Sequence, residues 1–266
     1  MATSVIDLDR ILRTTFVASA QHHDRVASTN DLAAQIAAGM VPEPRTPLLV
    51  VAGEQTAGRG RGGKRWWTGP GSLAFSVLLD RANLGGQARP LNLLALAAGV
   101  AVAEALTPLL GAETVGLRWP NDVLAGGRKL AGVLVEVLGD GRPIVGIGVN
   151  TNNTALDAPA EIRARVGTLR DLTGRTQDQT EVLAAILQQF QRCLAVLGSA
   201  PAELAARADA LCGDRGRWLR VECGAELLTG RCLGIAADGA LLLQTAAGRR
   251  AIYSGTIRLS EKAGSA

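Results

Sequence analysis

Residues 58–72 read GRGRGGKRWWTGPGS, and the fold turns on whether their glycines lead into a helix or into a strand. Gly58, Gly60 and Gly63 spell G-x-G-x-x-G directly after the apolar run TPLLVVAGEQ (46–55), and Asp80 stands roughly where a dinucleotide fold places its ribose-binding carboxylate. Such a site needs a helix immediately after the glycines, so that its N-terminus meets the pyrophosphate. KRWWTGPGS offers a turn instead, and then comes the strand pattern SLAFSVLLD (72–80). The same residues nearly make a P-loop, but Arg65 comes after Lys64 where a magnesium-binding hydroxyl belongs, and the helix is again missing. What remains is a pliable backbone carrying Arg59, Arg61, Lys64 and Arg65, four cations that repel one another until an anion sits among them. A solvated basic turn and a nucleic-acid contact are the other readings of this stretch. Trp66 either stacks on a base or anchors the loop in the core.

The rest of the chain frames that loop. Its 266 residues, 47% hydrophobic, suffice for one sizeable core and a small second unit. The formal charge is 28 − 24 = +4, which the four loop cations match, so the basicity is local and points to an anionic ligand. Cys193, Cys212, Cys223 and Cys232 lack C-x-x-C spacing, and no signal-peptide pattern opens the chain. Reduced thiols in a cytoplasmic protein without a structural zinc are expected. Leu91–Leu110 is apolar enough to raise the membrane question, yet it contains Asn92, Glu104 and Pro108 and reads as a buried core helix. His22 and His23 have no companion ligands and read as solvated residues.

Residues 1–25 look like a weak helix or a loose arm. ASTNDLAAQIAAG (27–39) reads as a helix capped near Ser28 and stopped by Gly39. VGLRW (115–119), KLAGVLVEVL (129–138) and RPIVGIGVN (142–150) read as three strands, the last two antiparallel across the tight turn GDGR (139–142). Two amphipathic helical patterns come next, at 180–197 and 201–212. From Gly213 onward, short strands alternate with Gly and Asp turns at the spacing of a small barrel. The expected organisation is an arm over 1–26, an α/β catalytic domain over 27–212, an SH3-like β-barrel over 213–262 and a tail over 263–266.

A second chemical cluster lies in RWPNDVLAGGRKLAGVLVE (118–136). Strict alternation puts Lys129 on the same side of its strand as Ala131, Val133, Val135 and Val137, where its ammonium sits either at the edge of a partly dry apolar wall or in solvent. Pro120 shapes the turn that presents Asn121 and Asp122, which is otherwise a simple Asn-Asp turn.

STN (28–30), EQTAGRGRGGKRW (54–66), RWPND (118–122), RKLAGVLVE (128–136) and GIGVN (146–150) occur in the order found in biotin protein ligases, also called biotin–[acetyl-CoA-carboxylase] ligases. The resemblance runs over about residues 27–260. It implies a mixed-sheet, class II synthetase-like catalytic domain of α/β (α+β) type with an SH3-like barrel behind it. It also implies a two-step reaction in which biotin and ATP give biotinyl-5′-AMP and a lysine of a biotin carboxyl carrier domain takes the biotinyl group.

Residue by residue, Ser28, Thr29, Asn30 and Gln55 resemble the family's biotin-binding positions, with Ser28 equally suited to capping its helix. Gly58 and Gly132 leave room for ligand, and Arg59 and Arg61 resemble the arginines that close over biotin and its adenylate. Lys129 resembles the catalytic lysine, with Arg61 and Asp122 as its catalytic companions. Lys64, Trp66, Arg118, Asn121 and Asn150 resemble the nucleotide-binding set, and Asp122 stands as a ligand for Mg2+ or an acceptor for the incoming lysine. The family commonly has Lys at the position of Arg118 and Arg at that of Lys64, and GTIRLS (255–260) shifts Arg258 by two positions from the family's ATP-directed arginine, so that role is not carried over. Nothing ahead of Ser28 is long enough for a helix-turn-helix, so specific DNA binding is not expected. A lipoate ligase and a nucleic-acid-binding protein are the rival readings.

Overall fold

The computed structural model describes residues 6–39, 44–80, 82–84 and 91–259; the expected tail and Ser260 lie outside them. A seven-stranded sheet forms the centre, in the order β1-β2-β3-β7-β6-β5-β4. These strands are β1 (Ser19–Val26), β2 (Leu48–Gln55), β3 (Leu73–Leu78), β4 (Val115–Arg118), β5 (Asp122–Ala125), β6 (Arg128–Val137) and β7 (Pro143–Val149). Only β1 and β2 run parallel among these pairs. The mixed sheet is the one expected.

Both faces are covered, which is why β2 is apolar at consecutive positions. Leu48 and Val50 pack under Ala33 and Ile36 of α2 (Thr29–Gly39), whereas Leu49 and Val51 join the main core. That core is filled by α3 (Leu91–Leu110), and α5 (Leu169–Thr173), α6 (Gln179–Ser199) and α7 (Pro201–Ala210) complete it, while the short α4 (Ala160–Arg163) buries no side chain. Asp178 caps α6 by accepting from the amides of Thr180 and Glu181. α3 and α6 are long and apolar enough to cross a membrane by composition, but they pack on each other as core helices. β6 returns into β7 through Gly141, whose φ of 87° suits a residue without a side chain.

Two elements differ from the sequence reading. The expected arm is part of the body: α1 (Leu8–Thr14) buries Ile11 against the core, and β1 is an edge strand of the sheet. Its polar text, SAQHHDRV, hid it, because an edge strand half-exposed on both faces shows no apolar alternation. His22 and His23 lie on this strand. The second difference is β5, read as part of a turn but paired with both β4 and β6.

Beyond α7, a five-stranded antiparallel sheet runs in the order β11-β10-β9-β8-β12, the small β unit expected there. It comprises β8 (Trp218–Cys223), β9 (Glu226–Ile235), β10 (Leu241–Thr245), β11 (Gly248–Ile252) and β12 (Thr256–Leu259). It is fastened to the central sheet by the Trp119 indole N–H donating to Gly239 C=O at 3.0 Å and by Arg118 gripping the buried carboxylate of Asp214 at 3.1 Å.

Candidate active site

Strand register builds the floor of a cleft on the α2 side of the sheet. One row across it reads Ala52, Ala74, Gly148, Gly132 and Asp122, and the next reads Val50, Ser76, Gly146 and Leu134. Small residues in register leave a trough. A methyl group added at Gly146 would lie 2.3 Å from Asn30 Oδ1, and one at Gly148 would lie 2.3 Å from Trp66 Cε2. Asn30 and Trp66 therefore rest directly on bare backbone.

Over the Gly146 row, the start of α2 supplies a buried polar set of Ser28, Thr29 and Asn30. The Thr29 amide and hydroxyl donate to Gln55 Oε1 at 2.9 and 3.1 Å. Ser76 Oγ lies 2.7 Å from Thr29 Oγ1 and 2.6 Å from Asn30 Oδ1, and Asn30 Nδ2 donates to Glu136 at 2.7 Å. Ser28 caps α2 through a long 3.5 Å contact from the Asp31 amide.

The basic loop forms the roof. Trp66 N–H donates to Gly58 C=O at 2.9 Å and Gly60 N–H to Lys64 C=O at 2.7 Å, so residues 58–66 fold back as a narrow hairpin that turns through Gly62 and Gly63 at positive φ. Gly58 is a close-approach position, since an added methyl would strike Trp66 C=O at 2.8 Å. Arg59 does not wait for an exogenous anion, contrary to the expectation of four uncompensated cations: it reaches Asp31 at 2.6 Å and Glu136 at 2.8 Å. Arg61 and Lys64 line the cleft with Asp122. Burial holds the Arg61 guanidinium below its ordinary range, with Asp122 opposing; burial, then the charges of Arg258 and Lys129, lower Lys64. Arg65 turns outward to Thr56 C=O.

Lys129 stands at the far end of the floor. Its Nζ lies 2.6 Å from Asp122 Oδ1 and 5.4 Å from the Trp66 ring centre, and its chain lies over Gly132. The alternation that put it beside Ala131 and Val133 is broken by a bulge: Val123 pairs with Ala131 but Leu124 with Lys129, so Leu130 and Ala131 both enter the core. The extra residue turns Lys129 onto the opposite face, toward the cleft.

Other expected residues are placed less directly. Asn121 lines the cleft while bonding Val133 C=O at 2.7 Å. Arg118 lines it too, with its guanidinium committed to Asp214. Asn150 is buried behind the floor, where Nδ2 donates to Lys129 C=O at 3.2 Å. Arg258 pairs with Glu222 at 3.0 Å on an exposed strand. Ser76, Glu136, Gly146 and Gly148 escaped the sequence reading, as did Thr256 and Ile257, by which the C-terminal sheet closes one wall. GIGVN carried the signal for the two glycines, their alternation in a strand otherwise fully apolar. Among the described residues there is no group of three His, Cys, Asp or Glu side chains able to hold a metal ion.

Comparison with known proteins fits this arrangement. Residues 23–152 match the model of the biotin/lipoate A/B protein ligase family, and residues 220–260 that of the biotin protein ligase C-terminal domain. The biotin--[acetyl-CoA-carboxylase] ligase of Mycobacterium tuberculosis is 36% identical over 86% of this chain and 84% of its own length. The bifunctional ligase/repressor BirA of Bacillus subtilis is 34% identical over 90% of this chain and 73% of its own. Biotin protein ligase from Aquifex aeolicus, solved in complex with biotin and ATP, superposes with a TM-score of 0.80 at 30% identity, covering 91% of this chain and all of that one.

Proposed function

The chain belongs to the biotin protein ligases of the biotin/lipoate A/B protein ligase family, and from that premise we propose how its cleft carries out the ATP-dependent attachment of biotin. The biotin carboxylate attacks the α-phosphorus of ATP, the bond to the β-phosphoryl oxygen breaks, and biotinyl-5′-AMP and pyrophosphate result. A lysine ε-amine of a biotin carboxyl carrier domain then attacks the acyl carbon, AMP leaves, and the amine loses a proton.

The polar set at the start of α2 takes the ureido ring: Ser28, Thr29, Asn30 and Gln55 offer both donors and acceptors to a neutral group that needs both. An acyl chain without that ring makes no use of those donors and acceptors, which disfavours lipoate. Arg59 and Arg61 cover the ligand with Gly58 at the loop's base, and Gly132 gives the carboxylate room beside Lys129. Trp66 packs on adenine, and Lys64, Arg118 and Asn121 attend the nucleotide. Asn150 serves the nucleotide through Lys129, whose backbone it holds. The central sheet and its helices thus bind and activate, while the C-terminal sheet closes one wall through Thr256 and Ile257.

The observation that carries this reading is Lys129 Nζ, held 2.6 Å from Asp122 above the glycine floor. There it stabilises the charge that gathers on carboxylate and phosphoryl oxygens in the first transition state, aided by Arg61. Asp122, once Lys129 turns to the phosphate, is free to orient the incoming amine. A magnesium ion brought by nucleotide phosphates asks for one or two protein carboxylates, and Asp122 meets that requirement. Held there by Asp122 and the nucleotide phosphates, Mg2+ would neutralise phosphate charge. Lys129→Ala is expected to slow biotin-dependent ATP–pyrophosphate exchange by about 10²- to 10³-fold, and biotin transfer, read as a mass gain of the carrier domain, in parallel. An unchanged exchange rate sinks the assignment.

A further inference from the structure

Cys212 and Cys232 have no sequence motif in common, yet the fold brings their sulfurs to 3.9 Å. Cys212 comes just after α7 and Cys232 lies within β9, at the junction of the two sheets. We infer that these two thiols form a peroxide-reactive pair that closes to a disulfide and clamps the C-terminal sheet to the cleft-bearing body.

The pair is asymmetric. The hydrogen bond from Cys232 lowers the pKa of the Cys212 thiol, with burial opposing and the positive charge of Arg215 contributing. Retaining that shared proton, and then burial, push the Cys232 thiol up. Cys212 is also the more accessible of the two, Cys232 being about 1% exposed. Cys212 is thus the nucleophile toward a hydroperoxide. Its thiolate attacks the peroxide oxygen, the O–O bond breaks, and a sulfenic acid forms with hydroxide, or an alkoxide, leaving. The Cys232 sulfur then attacks the sulfenic sulfur; its proton and the sulfenic hydroxyl depart as water, so two thiols and one peroxide yield one disulfide, with hydrogen peroxide itself ending as two waters. Closing from 3.9 Å to a bond of about 2 Å asks the two sulfurs to approach by about 2 Å. Cys193 and Cys223 are not drawn in: Cys193 is fully buried beside Arg207, and Cys223 lies near the far end of β8.

The clamp acts where the cleft is held together. Leu211 C=O accepts from Leu117 N–H, and Gly213 N–H donates back to Leu117 C=O at 2.9 Å. The next residues along each segment are Arg118 and Asp214, the pair that joins the sheets. A bond between Cys212 and Cys232 pins this junction from the other side.

The test uses the full chain, treated with hydrogen peroxide at a small molar excess and then alkylated. The expected product is lighter by about 2 Da before alkylation, yields a thiol-reducible peptide joining Cys212 to Cys232, and melts at a higher temperature than the reduced protein. Cys232→Ser is expected to stop at the sulfenic acid, trapped on Cys212 by a cyclic diketone, and Cys212→Ser to give neither product. The same oxidation in denaturant should lose the preference for this pair. Cross-links to Cys193 or Cys223 in the native protein, a Cys212 that passes to sulfinic acid while Cys232 stays alkylatable, or an oxidised form that melts no higher, each overturns the proposal.

Discussion

Two glycines two residues apart in β7 should separate the handling of biotin from that of ATP. In Gly148→Ala the new methyl would lie 2.3 Å from Trp66 Cε2 and 2.5 Å from Nε1. Ordinary contact begins at 3.4 Å, so the indole must retreat by about 1 Å. It cannot slide freely, because its own amide is bonded to Gly58 and its ring edge lies over Gly132 next to the Lys129 ammonium. Forcing a methyl into such a packed site costs about 1–3 kcal/mol, which is about 5- to 150-fold in affinity. If Trp66 is the adenine platform, that loss falls on ATP. In Gly146→Ala the methyl meets Asn30 Oδ1 at 2.3 Å instead, so the loss falls on biotin. The assay is ATP–pyrophosphate exchange with each substrate varied at saturation of the other, alongside melting curves to exclude unfolded protein. A raised KM for ATP in the first variant and for biotin in the second is expected. Equal effects on both substrates in both variants, or none, would refute the placement of the two ligands along the floor.

Ser76→Ala removes the hydroxyl lying against both Thr29 and Asn30; a loss of about 1 kcal/mol should raise KM for biotin about fivefold and leave KM for ATP unchanged in the same exchange assay. Burial pushes the Cys193 thiol up to about 11. A raised folded value means stability that is whole below the unfolded thiol range and lost as pH climbs through the folded one, so denaturant midpoints should fall between about pH 9 and 11 and fall less steeply in Cys193→Ala. Asp80 behaves in the opposite sense: burial alone would raise it, but hydrogen bonds from Thr46 and from the amides of Asn83 and Ala82 hold it below the ordinary carboxylate range. Its contribution should be intact above the unfolded carboxylate range and lost as pH falls through its lowered value, a loss that Asp80→Asn should remove from acid melting curves.

The order and type of most elements, and many of the residues that line the cleft, were legible in the chain itself. Apolar runs announced β2, β3, β6 and β7, a long apolar stretch broken by Asn92, Glu104 and Pro108 announced α3, and a glycine loop leading into a strand ruled out the two common nucleotide folds. Those signals are local, because hydrophobic period and turn chemistry act over a few residues. β1 gave no such signal: it is polar, half-exposed, and defined by its parallel pairing with residues about 29 positions later, as in Ser19 with Leu48.

Tertiary structure decided where the side chains went. One bulged residue, Leu130, moved Lys129 from the core face to the cleft, a change that strict alternation excludes and only pairing with β5 imposes. Arg59 found its counter-charges on α2 and β6, and Cys212 found Cys232 across a sheet junction. Gly132, Gly146 and Gly148 became a floor only once β6 and β7 were set in register. Composition names the groups a site uses. Their distances come from long-range register and packing, in which each strand's phase depends on a neighbour far away in the chain.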